Sequence, residues 1–203
     1  DYAEALFNLS YLELLKGNYT FGLENYEFRF KKEKPSSIHG NPKIEKVANK
    51  EFQKGKKLLV VSEQGLGDTL QYMRYVQYLR TLGLDVSFCA QTKLHSLIRS
   101  SGIDTQPFTP EETSKVSKGK WIPLLSLPKL LKVSPENPII SEPYINSTNE
   151  LNQKWKKILS KEKKIIIGIN WQGNRNMENT YQGRSIPLET FSTLAQYNEI
   201  KIL

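Results

Sequence analysis

The spacing of apolar residues changes at about residue 56 and separates a helical start from an α/β remainder. At the start, apolar residues recur at helical spacing on both sides of a Gly17-Asn18 break: Leu6, Leu9, Leu12 and Leu15, then Tyr19, Leu23 and Tyr26. Beyond residue 56, short apolar runs typical of buried parallel strands alternate with amphipathic segments. The pattern predicts a helical hairpin followed by a doubly wound α/β fold with a parallel sheet.

The alternation places the elements and the domain boundaries. Strands are predicted at 58–62, 85–90, 103–108, 121–125, 165–169 and 200–203. Helices are predicted at 69–82, 92–101, 151–159 and 184–197, with a short one opened by Ser126. The chain then divides into a hairpin at 1–30, a basic linker at 31–56, a first Rossmann-like domain at 57–148, and an interdomain helix with the beginning of a second Rossmann-like domain at 149–203.

The positive charge of the chain is concentrated in one region. The net charge is +8, and residues 29–57 hold ten Lys or Arg against three Glu, a net of +7. Because this region is rich in Pro and Gly and poor in apolar residues, we favour a solvated connector. The alternative is a surface that attracts an anionic partner such as a lipid headgroup or a phosphorylated glycan. Aromatic residues do not interleave with its lysines as they do in a nucleic-acid-binding platform, so nucleic acid is not a predicted partner.

The first candidate loop is "SEQGLGDT", between the strand at 58–62 and the helix after it. Gly65 and Gly67 allow a tight turn near a ligand, but the spacing is neither the dinucleotide fingerprint nor a P-loop. Asp68 has two compatible roles: it caps the helix start, or it acts as a general base at a cleft. Glu63 and Gln64 are expected to line the same rim.

The second candidate loop, "NWQGNRNMENTYQGRSIP", joins a buried strand to a helix. Arg184 stands immediately before that helix, where it could hold a diphosphate together with the helix N-terminus or remain an exposed loop arginine. Trp171 either packs or stacks on a ring. The lone Cys89 is predicted to be a buried strand residue, so neither a disulfide nor a cysteine-based metal site is expected.

Several segments together resemble a known family. "EQGLGDTLQYMRYVQYLRTLG", "PLLSLPKLL" and "GINWQGN" followed by "RSIPLETF" occur in the order found in bacterial tetratricopeptide-repeat proteins with a C-terminal glycosyltransferase-like region, which is similar to the heptosyltransferases. The hairpin resembles one tetratricopeptide repeat through the order Leu9, Leu12, Gly17, Tyr19, Gly22 and Tyr26. The resemblance implies a glycosyltransferase-B (GT-B) architecture: two Rossmann-like domains facing a cleft, with the acceptor on the first and the nucleotide-sugar donor on the second.

The resemblance also implies roles for individual residues. Asp68 matches the proposed catalytic base, and Arg184 matches the donor-phosphate contact, with Ser185 and Asn174 nearby. The implied reaction is an inverting transfer to a glycan, lipid-linked or protein hydroxyl, with a nucleotide-sugar as co-substrate and no metal or other cofactor. Heptosyltransferases usually have lysine where this chain has Arg184, so phosphate binding is expected while the particular donor is open.

The sequence opens in the middle of the repeat-like pattern, and the second domain holds only its first strand, its helix and the start of its next strand. The chain is therefore predicted to be truncated at both ends and inactive alone. The runner-up is a scaffold protein whose repeat-like helices bind a protein partner and whose α/β part is a degenerate transferase. A nucleotide-binding regulator is a third hypothesis. The sequence has neither a secretory signal nor an apolar membrane span, which favours the cytoplasm, with peripheral attachment to the inner membrane face as an alternative.

Overall fold

The computed structural model describes residues 2–48, 52–139, 142–173 and 185–203. The chain divides into two units, Asp1–Thr148 and Asn149–Leu203. The helices of the first unit are α1 (Tyr2–Leu15), α2 (Tyr19–Tyr26), α3 (Leu66–Tyr72), α4 (Arg74–Thr81), α5 (His95–Ser100) and α6 (Leu127–Leu130). Its strands are β1 (Lys57–Val61), β2 (Asp85–Cys89) and β3 (Lys120–Pro123). The predicted mixed α/β fold with a parallel sheet is therefore confirmed.

Strand β1 is the centre of a three-stranded parallel sheet in the order β2-β1-β3. Its apolar run "LLVV" is buried on both faces, as a central parallel strand requires. The strand predicted at 103–108 is reduced to one parallel bridge between Phe108 and Cys89. Pro107 has no N–H to donate, and the Asp104 carboxylate accepts the N–H of Gln106 at 2.8 Å, so a regular ladder does not form there.

The two faces of this sheet are covered by different kinds of structure. Side chains of α3, α4, α5 and α6 pack with Leu58, Val60 and Phe88 in the main core cluster. Leu59, Val61 and Cys89 form a smaller cluster on the other face, covered by half-buried apolar side chains from non-helical segments: Ile38, Ile44, Phe108, Val116 and Trp121. Among the described residues, α-helices thus cover one face, whereas a doubly wound sheet has them on both.

The segment predicted as a solvated connector lies against the sheet. Ile38 forms an antiparallel bridge with Glu63, and Lys46 forms a parallel bridge with Trp121. This stretch is solvated only in part, because Ile38 and Ile44 are half-buried and supply apolar cover for the second face of the sheet. The high content of charge, Pro and Gly gave no indication of this apolar cover, since the neighbouring lysines stay in solvent.

Helices α1 and α2 form the predicted hairpin. A Cβ on Gly22 would lie 2.8 Å from Leu14 Cγ, so glycine is what lets the two helices cross closely. Phe7 is buried, and its ring contacts those of Tyr11 and Tyr26 at centroid distances of 5.0 and 5.7 Å. A 3₁₀ turn, Glu27–Phe30, follows α2 directly and carries the chain toward the sheet.

The single helix predicted at 69–82 is two helices that meet at Met73. Tyr144 Oη donates to the carbonyl of Leu70 at 2.6 Å, and Arg74 Nε donates to that of Gln71 at 2.8 Å. Because side chains approach these carbonyls, the helix is locally tightened, and the N–H of Val76 bonds to the carbonyl of Met73 only three residues back.

The second unit contains helix α7 (Asn149–Leu159) and a parallel pair of strands, β4 (Ile165–Ile167) and β5 (Ile200–Ile202). The helix predicted at 184–197 is a 3₁₀ helix, Leu188–Gln196, over its described part. No described residue of this unit is buried. Among all the helices that the structure describes, none has both the length and the apolar character needed to cross a membrane.

Candidate functional site

The candidate loop leaves the carboxyl end of β1 and turns sharply into α3. Gln64 has a φ of 60°, a left-handed conformation that is uncommon outside glycine. Gly65 then caps α3, and its N–H donates to Asp68 Oδ2 at 2.8 Å. The half-buried Asp68 carboxylate therefore has a capping role, and the same hydrogen bond fixes its position at the helix start.

The two glycines of this loop differ in what they contribute. A Cβ on Gly65 would lie 3.0 Å from Asp68 Oδ2, so a larger residue would press on the capping carboxylate. A Cβ on Gly67 would meet nothing within 4 Å, and its φ is not positive. Neither packing nor backbone conformation therefore requires glycine at position 67. The absence of a side chain there leaves space next to the loop at the start of α3.

Side chains from two other elements hold the loop in place. Gln64 Nε2 donates to Tyr26 Oη, at the end of α2, at 2.8 Å. Thr69 Oγ1 donates to Gln91 Oε1 at 2.8 Å, and Gln91 Nε2 reaches the carbonyls of Gln64 and Gly65 at 3.4 Å each. The hairpin and the end of β2 thus both position the residues around Asp68. Neither Tyr26 nor Gln91 was predicted from the sequence to belong to this site.

Glu63 does not line the rim, contrary to the expectation from the sequence. Its side chain has no exposed surface and accepts two hydrogen bonds from Arg29, Nε to Oε2 at 2.9 Å and Nη2 to Oε1 at 2.8 Å. The N–H of Leu125 donates to Glu63 Oε1 at 3.2 Å. The buried strand environment extends through Ser62 and Glu63, so this carboxylate points into the protein interior rather than into solvent.

Arg29 is the largest fully buried side chain among the described residues. Its Nη1 donates to Glu27 Oε1 at 2.7 Å and its Nη2 to Ser126 Oγ at 2.8 Å, while the rings of Tyr26 and Phe30 lie 4.6 and 4.2 Å from its guanidinium carbon. Burial alone would lower the pKa of Arg29, but the hydrogen bonds and charges of the two glutamates raise it above its ordinary value. The guanidinium therefore stays charged inside the protein.

This buried pair occupies a place where related architectures bind ligands. Glu63 follows β1 and Ser126 follows β3, so Arg29 bridges the carboxyl ends of two neighbouring strands. From β1 the sheet extends to β2 on one side and to β3 on the other, which makes the β1/β3 boundary the point where the strand order reverses. Open α/β sheets bind ligands at such a point. In this protein the side chain of Arg29 occupies that position.

Two tyrosines beside the loop keep their protons at neutral pH. Burial raises the pKa of Tyr72 to about 12, with Tyr75 and the Asp68 charge adding to the effect. Burial also raises the pKa of Tyr26, although the hydrogen bond from Gln64 and the charge of Arg29 oppose the rise. Both hydroxyls can therefore act as hydrogen-bond donors next to the candidate loop.

In the second unit the structure describes only part of the second candidate loop. Gly173 N–H donates to Ser185 Oγ at 3.1 Å, and Ile186 N–H donates to the carbonyl of Trp171 at 2.9 Å. Ser185 thus lies beside the turn that follows β4. Asn174 and Arg184, the other predicted donor contacts, lie outside the described residues.

Fold and site together define a mixed α/β protein with a polar loop, centred on Asp68, at the carboxyl end of its central strand. Within the described ranges, no three His, Cys, Asp or Glu side chains converge as a metal site would need. Comparisons with protein-family models, with curated proteins and with solved structures found no match. The function is therefore argued from the residues of the site.

Proposed function

We propose that this chain is part of a GT-B-type glycosyltransferase that transfers a sugar from a nucleotide-sugar donor to a hydroxyl acceptor with inversion. The observation that carries the proposal is the position of Asp68: a half-buried carboxylate just beyond the carboxyl end of the central parallel strand, fixed by the N–H of Gly65 at 2.8 Å. A general base needs this combination of access and fixed geometry.

The strand order supports a Rossmann-like unit. If the single bridge at Phe108 is a remnant of the third strand, the order from one edge is Phe108, β2, β1, β3. In chain order this is 3-2-1-4, the first part of the dinucleotide-binding arrangement. The hairpin agrees with a tetratricopeptide-like repeat in its close helix crossing at Gly22.

In the proposed reaction Asp68 accepts the proton of the acceptor hydroxyl. The acceptor oxygen forms a bond to the anomeric carbon of the donor sugar as the bond from that carbon to the nucleoside diphosphate breaks. The diphosphate leaves with its bonding electron pair, and Arg184 with Ser185 stabilises the added negative charge. The capping hydrogen bond from Gly65 keeps one Asp68 oxygen occupied and leaves the other for the acceptor.

Two substitutions of Asp68 separate catalysis from capping. Asp68→Asn keeps an oxygen that can accept the Gly65 N–H but cannot take a proton at neutral pH, whereas Asp68→Ala removes both functions. In a full-length parent protein we expect Asp68→Asn to abolish sugar transfer with little loss of stability. Transfer by Asp68→Asn at the wild-type rate would show that Asp68 is not the base.

Donor binding is tested separately by calorimetric titration with UDP-, GDP-, ADP- and CMP-sugars. We expect one nucleotide class to bind and the binding to be lost in Arg184→Ala but kept in Arg99→Ala, a matched change at an exposed arginine of α5. Equal loss in both variants would indicate non-specific attraction of the diphosphate to positive charge and would contradict the proposed donor site.

A second function, a scaffold with a degenerate transferase-like part, is favoured by one specific observation. Arg29 and Glu63 fill the β1/β3 crevice that a ligand would enter in such sheets. The hairpin also exposes large apolar side chains that could contact a protein: Tyr2, Tyr11, Leu12, Leu15 and Phe21. This function predicts no donor binding, together with partner capture that is lost when Leu12 and Leu15 are both changed to serine.

A further inference from the structure

A cavity in the first unit lies at the amino end of the sheet, opposite the candidate loop. Its volume is about 600 Å³, within the range of small-molecule sites. It is lined where the strands begin, by Lys57 and Leu58 of β1, by Leu84 just before β2, and by Lys120 of β3. Neither Asp68 nor the buried Arg29 belongs to it, so it is a separate feature of the fold.

The floor of this cavity is apolar and continuous with the protein core. Leu58 and Leu84 are 3% and 7% exposed and belong to the main core cluster, and Val47 and Phe52 pack against that cluster. Apolar surface that lines a concave site gains from contact with an apolar ligand body, because water is released from both surfaces.

The rim of the cavity is basic, and a glycine brings its two halves together. Lys56 precedes β1 and Lys57 begins it, while Lys118 and Lys120 flank Gly119 where β3 begins. Gly119 has a φ of 94°, and a Cβ there would lie 2.5 Å from the carbonyl oxygen of Lys57. Only glycine permits this approach, which sets lysines from distant parts of the sequence on one rim.

Carboxylates among the described residues pair with two of these four lysines. Lys57 lies 3.7 Å from Asp85, and Lys120 lies 3.0 Å from Glu45. Lys56 and Lys118 form no ion pair with any residue in the part of the chain that the structure describes. Among the described residues, Lys56 and Lys118 are thus the two rim lysines without a carboxylate partner.

We propose that this cavity binds a phosphate monoester with an apolar body. A monoester carries about −1.5 to −2 charge at neutral pH, which matches the two unmatched lysines. Its oxygens would contact Lys56 and Lys118 at the rim, and its apolar body would lie on Leu58, Leu84 and Phe52. This proposal does not depend on sugar transfer, since it concerns the opposite end of the sheet.

The test is calorimetric titration of the full chain in phosphate-free buffer at pH 8 with hexyl phosphate and phenyl phosphate. These two probes distinguish an aliphatic from an aromatic body. Inorganic phosphate serves as the headgroup alone and hexyl glucoside as the neutral body. We expect at least one monoester to bind about tenfold more tightly than inorganic phosphate, with no binding of the glucoside.

Variants that each remove one positive charge test where the monoester binds. We expect Lys56→Gln and Lys118→Gln each to weaken binding about threefold and the double variant about tenfold, because each lysine supplies one partly solvated contact. Lys93→Gln, an exposed lysine after β2, should leave the dissociation constant unchanged. Phe52→Ala should reduce the preference for a monoester over inorganic phosphate.

Three outcomes would overturn the proposal. One is equal affinity for the monoesters and inorganic phosphate, since the floor would then contribute nothing. Another is an equal loss of binding in Lys93→Gln and in the rim variants, which would indicate general attraction to a basic protein. The third is no binding of either monoester to a wild-type chain whose thermal unfolding is cooperative.

Discussion

The two ends of the three-stranded sheet differ in how their charged side chains are placed. At the carboxyl end, Arg29 and Glu63 are completely buried and satisfy each other. At the amino end, lysines surround an open cavity and remain exposed, among them Lys57 with 61% of its side chain accessible. The buried ion pair of Arg29 and Glu63 holds parts of the fold together. The exposed lysines above the apolar floor of the cavity are instead accessible to a ligand.

The difference also explains why the hairpin belongs to the first unit. Arg29 lies in the 3₁₀ turn that follows α2, and its partners Glu63 and Ser126 lie 34 and 97 residues away at the strand ends. One side chain therefore joins the hairpin, β1 and the start of α6. The lysines of the amino end make no comparable connection, because their ion pairs are exposed and at distances of 3.0 and 3.7 Å.

The largest expected effect comes from breaking the buried pair. Arg29→Met leaves Glu63 as an uncompensated buried carboxylate, and we expect the free energy of unfolding to fall by about 3–5 kcal/mol in urea titrations. Arg99→Met, the same change at an exposed position of α5, should stay within about 0.5 kcal/mol of wild type.

The double variant Arg29→Met/Glu63→Met sharpens this result. Two apolar side chains of similar volume remove both charges together, so we expect it to recover most of the lost stability. If the double variant were as unstable as Arg29→Met, the loss would come from contacts that both variants lack, rather than from the unpaired charge of Glu63. These are the hydrogen bonds of the guanidinium to Glu27 and Ser126 and its contacts with the rings of Tyr26 and Phe30.

A smaller effect is expected for the cap of α3. Asp68→Ala removes the acceptor for the Gly65 N–H, which should lower the free energy of unfolding by about 1 kcal/mol. Asp68→Asn keeps an acceptor oxygen and should lose less than half of that. Chemical denaturation of both variants measures the difference, and equal losses would mean that the negative charge, rather than the hydrogen bond, stabilises the helix start.

At the amino end, the same kind of substitution should barely change stability. We expect Lys56→Gln/Lys118→Gln to unfold within about 0.5 kcal/mol of wild type, because exposed side chains away from caps and cores contribute little. Urea titration without added ligand is the measurement. A loss comparable to that of Arg29→Met would contradict the contrast between the two ends, since these lysines would then be structural.

The sequence predicted the regular parts of the first unit because their signals are local. The apolar runs place β1 and β2 within one residue of the observed strands, and Ser126 precedes α6 as expected. Arg29 was missed because its partner is 34 residues away and because the basic stretch around it suggested solvent. The available signal was its setting in "YEFRF", an arginine among aromatic side chains, together with a glutamate that directly continues the buried run "LLVVS".

The cover of the second face of the sheet was not predicted, for a related reason. The segment at 36–47 looks like a connector by composition, and its two covering residues, Ile38 and Ile44, are too few to form a periodic pattern. Their function depends on the register of the bridges to Glu63 and Trp121, which arises only when the sheet has formed. Non-local pairing of this kind leaves no periodic signal in the sequence.

The smallest expected effect concerns how this segment is held at low pH. His39 Nδ1 lies 3.1 Å from Ser62 Oγ, and burial lowers the pKa of His39 below its ordinary value of 6.5, with the charge of Glu63 acting in the opposite direction. As pH falls below 6.5 the unfolded chain takes up the proton before the folded one, so His39 makes the protein progressively less stable down to its folded pKa. His39→Gln should remove this component, and urea titrations of both proteins at pH 8 and pH 5.5 should show a smaller loss for the variant. Equal losses in the two proteins would place the acid sensitivity in other groups and leave the segment held independently of His39.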